Sequence, residues 1–155
     1  MYKVTIPMRL PSLNEYINVC RTNRYMAANM KKKTQADIIY FIKGLPKFER
    51  PVRINFKWIS EQGDRRDLDN ICFAKKFILD ALQEAGKLKN DNRKYVIGFT
   101  DEFLYGKRYE VMLEIEELKT FELKENTDEK IPSNNLVCAK HNGRTIKTRT
   151  SKDKG

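Results

Sequence analysis

The sequence predicts an α+β fold: a two-layer domain in which a four-stranded mixed or antiparallel sheet carries two main helices, followed by a C-terminal tail. Three observations predict it. Apolar and polar residues alternate over 2–6, 52–58 and 109–116, the period of strands with one buried face. Between them, 28–43 and 69–84 carry apolar residues at helical spacing. From residue 119 onward the periodicity stops.

Residues 2–6 read as an opening strand that meets Pro11 and continues as a loop. Over 28–43, Ala36, Ile38, Ile39 and Ile42, with Leu45 beyond, mark the inner side of a helix that Gly44 and Pro46 end. The surrounding stretch holds Arg21, Arg24, Lys31, Lys32, Lys33, Lys43, Lys47 and Arg50 against only Asp37 and Glu49, so its outer face is expected to be cationic. Val52, Ile54, Phe56 and Trp58 alternate with Arg53, Asn55 and Lys57, the clearest strand in the chain. After the polar turn SEQGDRRD, residues 69–84 are apolar almost all round: Ile71, Cys72, Phe73, Phe77, Ile78, Leu79 and Leu82. That pattern predicts one largely buried helix, capped by Asp69 or Asn70 and closed by Gly86. Residues 96–100 and 109–116 read as strands joined around Gly106, expected to pair as a hairpin. In the second, Val111, Leu113 and Ile115 face inward and Glu110, Glu114 and Glu116 outward.

The expected organisation is thus one domain over 1–118 and a basic tail over 119–155. The tail holds nine basic and five acidic side chains and few large apolar ones, and is expected to be flexible. The chain has 155 residues, 40% of them apolar, enough to bury a core. No apolar run approaches the roughly 18 residues of a membrane span. The opening residues MYKVTIPMRLPSLNEY are broken by prolines and charges, which reads as mature sequence of a cytoplasmic protein. Cys20, Cys72 and Cys138 are odd in number and far apart, which supports neither a disulfide framework nor a zinc knuckle. The single histidine, His141, lies in the tail, so Ser-His and Cys-His nucleophilic machinery has no base. Hydrolytic chemistry would have to run on carboxylates, lysine or metal. A net charge of +10 favours polyanionic partners.

The segment that stands out is Arg65-Arg66-Asp67-Leu68-Asp69-Asn70. In an extended segment, carboxylates at i and i+2 project to one side. Such a pair at the start of a helix beside arginines suits a Mg²⁺ ion acting on phosphate, because Mg²⁺ takes one or two protein carboxylates and fills its octahedron with water and substrate oxygens. The alternative is a helix cap by Asp69 with a surface ion pair to Arg65 or Arg66. A third carboxylate, Asp91, lies in the polar turn KNDNRK before a strand, where its alternative role is an Asx turn. Lys75 and Lys76 interrupt the apolar helix between them. Snorkelling outward suits Lys75. Lys76 is two helical turns past Asp69, on the same side, where it can set an ammonium against a phosphate.

The block R-R-D-L-D-N, then a helix ending D-A-L-x-x-A-G, then a short turn with an Asp before a strand, resembles the RusA family of Holliday-junction resolvases. The resemblance covers about residues 2–118 and is most specific over 65–96. Asn14 after Pro11 also matches the family's P-S-x-N element. Carried over by position, Asp67, Asp69 and Asp91 match the catalytic, metal-holding acids. Lys76, four residues before Asp80, matches the catalytic lysine when the helices are aligned at D-A-L. Alignment at Asp69 instead puts Phe73 there and leaves Lys75 as a rival. Where the family often has consecutive acids in the turn, this chain has Asn90 before Asp91.

The resemblance implies a homodimeric endonuclease dependent on Mg²⁺, with Mn²⁺ as an alternative ion, that nicks four-way DNA junctions symmetrically. It implies neither a small-molecule cofactor nor a membrane partner. Expected DNA contacts are Asn14, Arg24, Lys31, Lys32, Lys33, Arg65, Arg66 and Asn70. A helix over 69–84 is about 24 Å long, and the seven residues to Asp91 run back at most about 23 Å. Asp91 therefore reaches Asp67 of its own chain barely, or meets the pair of a neighbouring subunit. Two other readings stay open: a branched-DNA-binding module without turnover, and a less selective flap or branched-DNA nuclease.

Overall fold

The computed structural model describes residues 1–118. The expected tail over 119–155, with Cys138 and His141, lies outside the described residues. The elements run β1 (Tyr2–Ile6), α1 (Leu13–Thr22), α2 (Arg24–Ile42), β2 (Val52–Glu61), α3 (Leu68–Cys72), α4 (Lys75–Glu84), β3 (Val96–Gly106) and β4 (Glu110–Glu117). The four strands form one mixed sheet, so the α+β class holds.

Strand order is β1-β4-β2-β3. The hairpin expected from 96–116 is not formed, because β2 lies between its two arms. β3 runs parallel to β2, with Ile54 opposite Phe99 and Trp58 opposite Phe103, and β4 runs antiparallel to β2 and β1. The physical reason is the crossover: α3 and α4 separate β2 from β3, which lets the two pair in parallel. The three residues 107–109 then step across β2. Skipping one strand needs about 9–10 Å, within their reach when extended.

β2 is the centre of the core. Val52, Ile54, Phe56 and Trp58 are no more than 2% exposed and pack with Val111, Leu113 and Ile115 of β4 and Ile6 of β1. Helices α2 and α4 close this face with Ile38, Ile42, Phe77, Ile78, Ala81 and Leu82. Ala36, assigned to the inner side of its helix, is exposed, and the buried stripe of α2 is Ala27, Thr34, Ile38 and Ile42. The opposite face of the sheet is polar: Asn55 and Lys57 of β2 meet Glu114 of β4 and Glu102 of β3.

Two helical features differ from expectation. Residues 13–22, read as loop, form α1. Ser12 and Glu15 make a reciprocal capping box, with the Glu15 N–H donating to Ser12 Oγ and the Ser12 N–H donating to Glu15 Oε2 at 2.7 Å. Asn23 then ends α1 and caps α2, which starts four residues earlier than expected. The single helix over 69–84 is two. Between α3 and α4 the backbone stays right-handed at Phe73 and Ala74, but its bonds shorten to the i→i+3 kind, Phe73 C=O to Lys76 N–H and Ala74 C=O to Phe77 N–H. Neither Asp69 nor Asn70 is the cap; Asp67 occupies that position.

Candidate functional site

The break at 73–74 divides the expected site residues into two groups. Asp67 is extended, with φ −65° and ψ 151°, while Asp69 lies inside the first turn of α3. Alternation along an extended segment therefore does not describe the pair, and i and i+2 on a helix do not face each other. What the local fold does is leave both carboxylates uncommitted. Asp67 makes no side-chain cap bond, and neither it nor Asp69 is engaged in a side-chain hydrogen bond or ion pair among the described residues. Asn70 is 8% exposed, and its buried Oδ1 meets no donor there.

Asp67 and Asn70 line an open cleft of about 370 Å³ with Arg9, Ser12, Asn14, Glu15, Arg65 and Arg66. Asn14 reaches it because the capping box starts α1 at Leu13. Arg65 is exposed, whereas Arg66 is held by Asp64, its Nη2 2.6 Å from Oδ2 and its Nε 3.0 Å from both oxygens. The ion pair to Arg65 or Arg66 considered in the alternative reading is thus not made at Asp69; Arg66 pairs with Asp64 instead. Hydrogen bonds from Arg66 hold the Asp64 carboxyl well below the usual carboxylate range. Arg9 bonds Glu15 at 2.8 Å, and the guanidinium groups of Arg9 and Arg66 both lie over the Tyr109 ring. Nothing in the residue pattern around Arg9 announced this; it depends on β4 lying beside β1.

The second group surrounds Lys76. Its Nζ is 2.7 Å from Asp80 Oδ1 and 4.0 Å from Asp91 Oδ2. Lys31 of α2 sets its ammonium 2.9 Å from the other oxygen of Asp80, a close ion pair too oblique for an aligned hydrogen bond. In the sequence only the four-residue spacing from Lys76 marks Asp80. Burial raises the Asp80 pKa, but the Lys31 and Lys76 ammoniums outweigh it and the carboxyl ends below its ordinary value. Asp80 raises the Lys76 pKa in turn, mainly through their hydrogen bond.

Asp91 does not form the Asx turn considered for it. Asn90 and Asn92 take that work, accepting the N–H groups of Asn92 and Lys94 at 2.9 and 3.0 Å, and Asp91 is left to approach Lys76. The chain thus returns as far as the first turn of α4. It does not gather Asp91 with Asp67 and Asp69: among the described residues no three His, Cys, Asp or Glu side chains are grouped to hold a metal ion.

Lys75 does not snorkel outward. It crosses the Phe56 and Phe99 rings, 5.6 Å from each centroid, to put its ammonium 2.6 Å from Asp101 Oδ2 on β3. Trp58 Nε1 donates to the other oxygen at 2.8 Å. Of the remaining cations, Arg24, Lys32 and Lys33 are exposed along α2, and Lys31 is the one drawn into the Asp80 pair. No described helix is long and apolar enough to cross a membrane.

Asp67 and Asp69 present exposed carboxylates with no partner among the described residues, the oxygen-donor type that a Mg²⁺ ion takes, while the Oδ1 of adjacent Asn70 is buried. A three-carboxylate set within one described chain does not fit, because Asp91 stands with Lys76. No family model matches the chain, and no curated protein matches its sequence.

Proposed function

We propose that this chain is a Mg²⁺-dependent, structure-selective endodeoxyribonuclease that acts as a homodimer on four-way DNA junctions, with activity of the kind the RusA resemblance implies. The observation that carries the proposal is the uncommitted state of Asp67 at a cleft walled by Arg9, Arg65 and Arg66, with Asp69, two residues on, also uncommitted among the described residues. Asp67 sits at the N-cap position without making the cap bond, and Asp69 pairs with no cation among the described residues, so both carboxylates remain open to an ion.

Asp67 and Asp69 would hold the ion, which supplies an activated water and offsets charge on the phosphate under attack. Arg65, with Asn14, orients the DNA backbone at the cleft, and exposed Arg24, Lys32 and Lys33 extend the cationic track along α2. Lys76 presents an ammonium to the phosphate or its leaving oxygen. Asp91, which is not grouped with Asp67 and Asp69 among the described residues, would meet the pair of a second subunit. The separation of the three acids is also what favours the rival, a branched-DNA-binding module that does not turn over.

The experiment is cleavage of a labelled mobile four-way junction, with linear duplex as control, by wild type and Asp69→Asn, in Mg²⁺ and in EDTA at fixed salt. Paired, Mg²⁺-dependent nicks that vanish in the variant while binding persists support the enzyme. Binding without nicking in Mg²⁺ or Mn²⁺ selects the binding module, and equal cutting of duplex and junction selects a less selective nuclease. Mixing Asp69→Asn with Asp91→Asn chains tests the shared site. Only a site built from two subunits regains one intact centre, and so one-sided nicking.

A further inference from the structure

Asp80 is a carboxylate with two ammoniums, one on each oxygen: Lys76 at 2.7 Å on Oδ1 and Lys31 at 2.9 Å on Oδ2. Its side chain is only 13% exposed, against 55% for Lys76 and 40% for Lys31. The anion is covered and the two cations are presented. A second acid competes for Lys76, since Asp91 Oδ2 is 4.0 Å from the same nitrogen. The nearer partner is the one on the helix.

We infer that Asp80 is a positioning residue: it holds Lys31 and Lys76 side by side as a phosphate-binding pair and keeps Lys76 from closing onto Asp91. This inference rests on the nuclease reading above and deepens it. An exposed lysine released from Asp80 would find Asp91, the nearest remaining carboxylate. Both groups would then be lost to the DNA, the ammonium because it is neutralised and the acid because it is covered. With Asp80 in place, one anion is shared between two cations, so positive charge remains for the phosphate. The sharing also links helices α2 and α4, which puts Lys31, otherwise one of a row of exposed basic residues, next to the lysine expected to meet the reacting phosphate.

The Lys76–Asp80 pair has its lysine first, the less favourable i, i+4 orientation against the helix dipole. Covered as it is, Asp80 also ties α2 to α4, so its role in placing the lysines is separated from a role in stability by kinetic readouts.

The test is Asp80→Asn in the full chain, assayed on the four-way junction in Mg²⁺. The expected result is a kcat lowered about tenfold or more, the scale of a misplaced reacting group, with KM changed less than about threefold. Asp80→Glu, which restores the charge one methylene further out, should recover part of the loss. In a Lys76→Ala background, Asp80→Asn should cost clearly less than in wild type, because only its hold on Lys31 is left to lose. Unchanged kcat in a folded Asp80→Asn, or a loss that adds fully to that of Lys76→Ala, overturns the inference and leaves the nuclease reading intact. Wild type that binds junctions without nicking overturns both. If Asp80→Asn does not fold, the wild-type side chain is read directly. A held Lys76 gives a resolved ¹⁵Nζ ammonium signal, and averaging with exposed Lys32 and Lys33 overturns the assignment.

Discussion

Lys75 Nζ lies 2.6 Å from Asp101 Oδ2, so the first lysine of α4 reaches down to the sheet while its neighbour, one residue on, faces Asp80 and Asp91. That divergence separates two residues that sequence leaves as rivals. Lys75 completes a bridge between helix and sheet in which Asp101 also accepts from Trp58, and its stem covers two aromatic rings. Lys75→Ala is expected to lower stability by about 1–2 kcal/mol, the scale of a hydrogen bond to a partly covered charge, with junction-nicking kcat within about threefold of wild type. Lys76→Ala is expected to lower kcat about 100-fold or more, as for loss of a transition-state donor, with a small change in stability. Urea unfolding and single-turnover nicking of both variants check this, and a reversed pattern would exchange the two roles.

Glu114 gives the fold an acid-sensitive part far from the cleft. Hydrogen bonds from Lys3, Asn55 and Lys57 on the open face of the sheet hold its pKa down to about 2, from an ordinary 4.5. A depressed folded-state value means the unfolded chain takes up the proton first as pH falls. The contribution is therefore complete above about 4.5 and is lost progressively as pH drops toward 2. Glu114→Gln is expected to flatten this part of the stability profile without changing its neutral-pH shape. Unfolding free energies across pH 2 to 6 measure it, and an unchanged acid slope in Glu114→Gln would move the effect to Asp64, which is also depressed.

What could be read from the sequence followed the range of the interactions involved. β1, the inner face of β2, the burial of Phe77, Ile78 and Leu82, and the outward glutamates of β4 are set by alternation and helical spacing, which are local. The Ser12–Glu15 capping box was equally local and marked α1, but Pro11 drew the stretch toward a loop. The β3–β4 hairpin failed for a nonlocal reason: neighbouring segments pair by default, and only the parallel crossover through α3 and α4 shows that β2 takes the place between them. At the site, Asp67, Asp69, Asp91 and Lys76 were legible as residue types at a spacing. Their division was not, because it depends on a tightened turn at Phe73 and Ala74 inside what reads as one helix. Lys31 and Asp80 illustrate the same limit, since 49 residues of chain separate the two ends of a 2.9 Å contact.

Gly106 closes β3 where the chain begins its step over β2, and its missing side chain is required by a contact and not by its backbone angles. A Cβ there would stand 2.5 Å from Ile59 Cγ2, on the strand being crossed. Gly98, in the same strand, has nothing within 4 Å of the corresponding position. Gly106→Ala is therefore expected to destabilise by about 1–3 kcal/mol, the usual cost of overpacking, and Gly98→Ala to stay within about 0.5 kcal/mol of wild type. Ile59→Ala removes the offending methyl, so in that background the Gly106→Ala penalty should largely disappear. Urea unfolding of the four variants reads the coupling. A penalty that persists without the Ile59 side chain would place the constraint in the backbone of the 107–109 step, and the close approach of the two strands would not be its source.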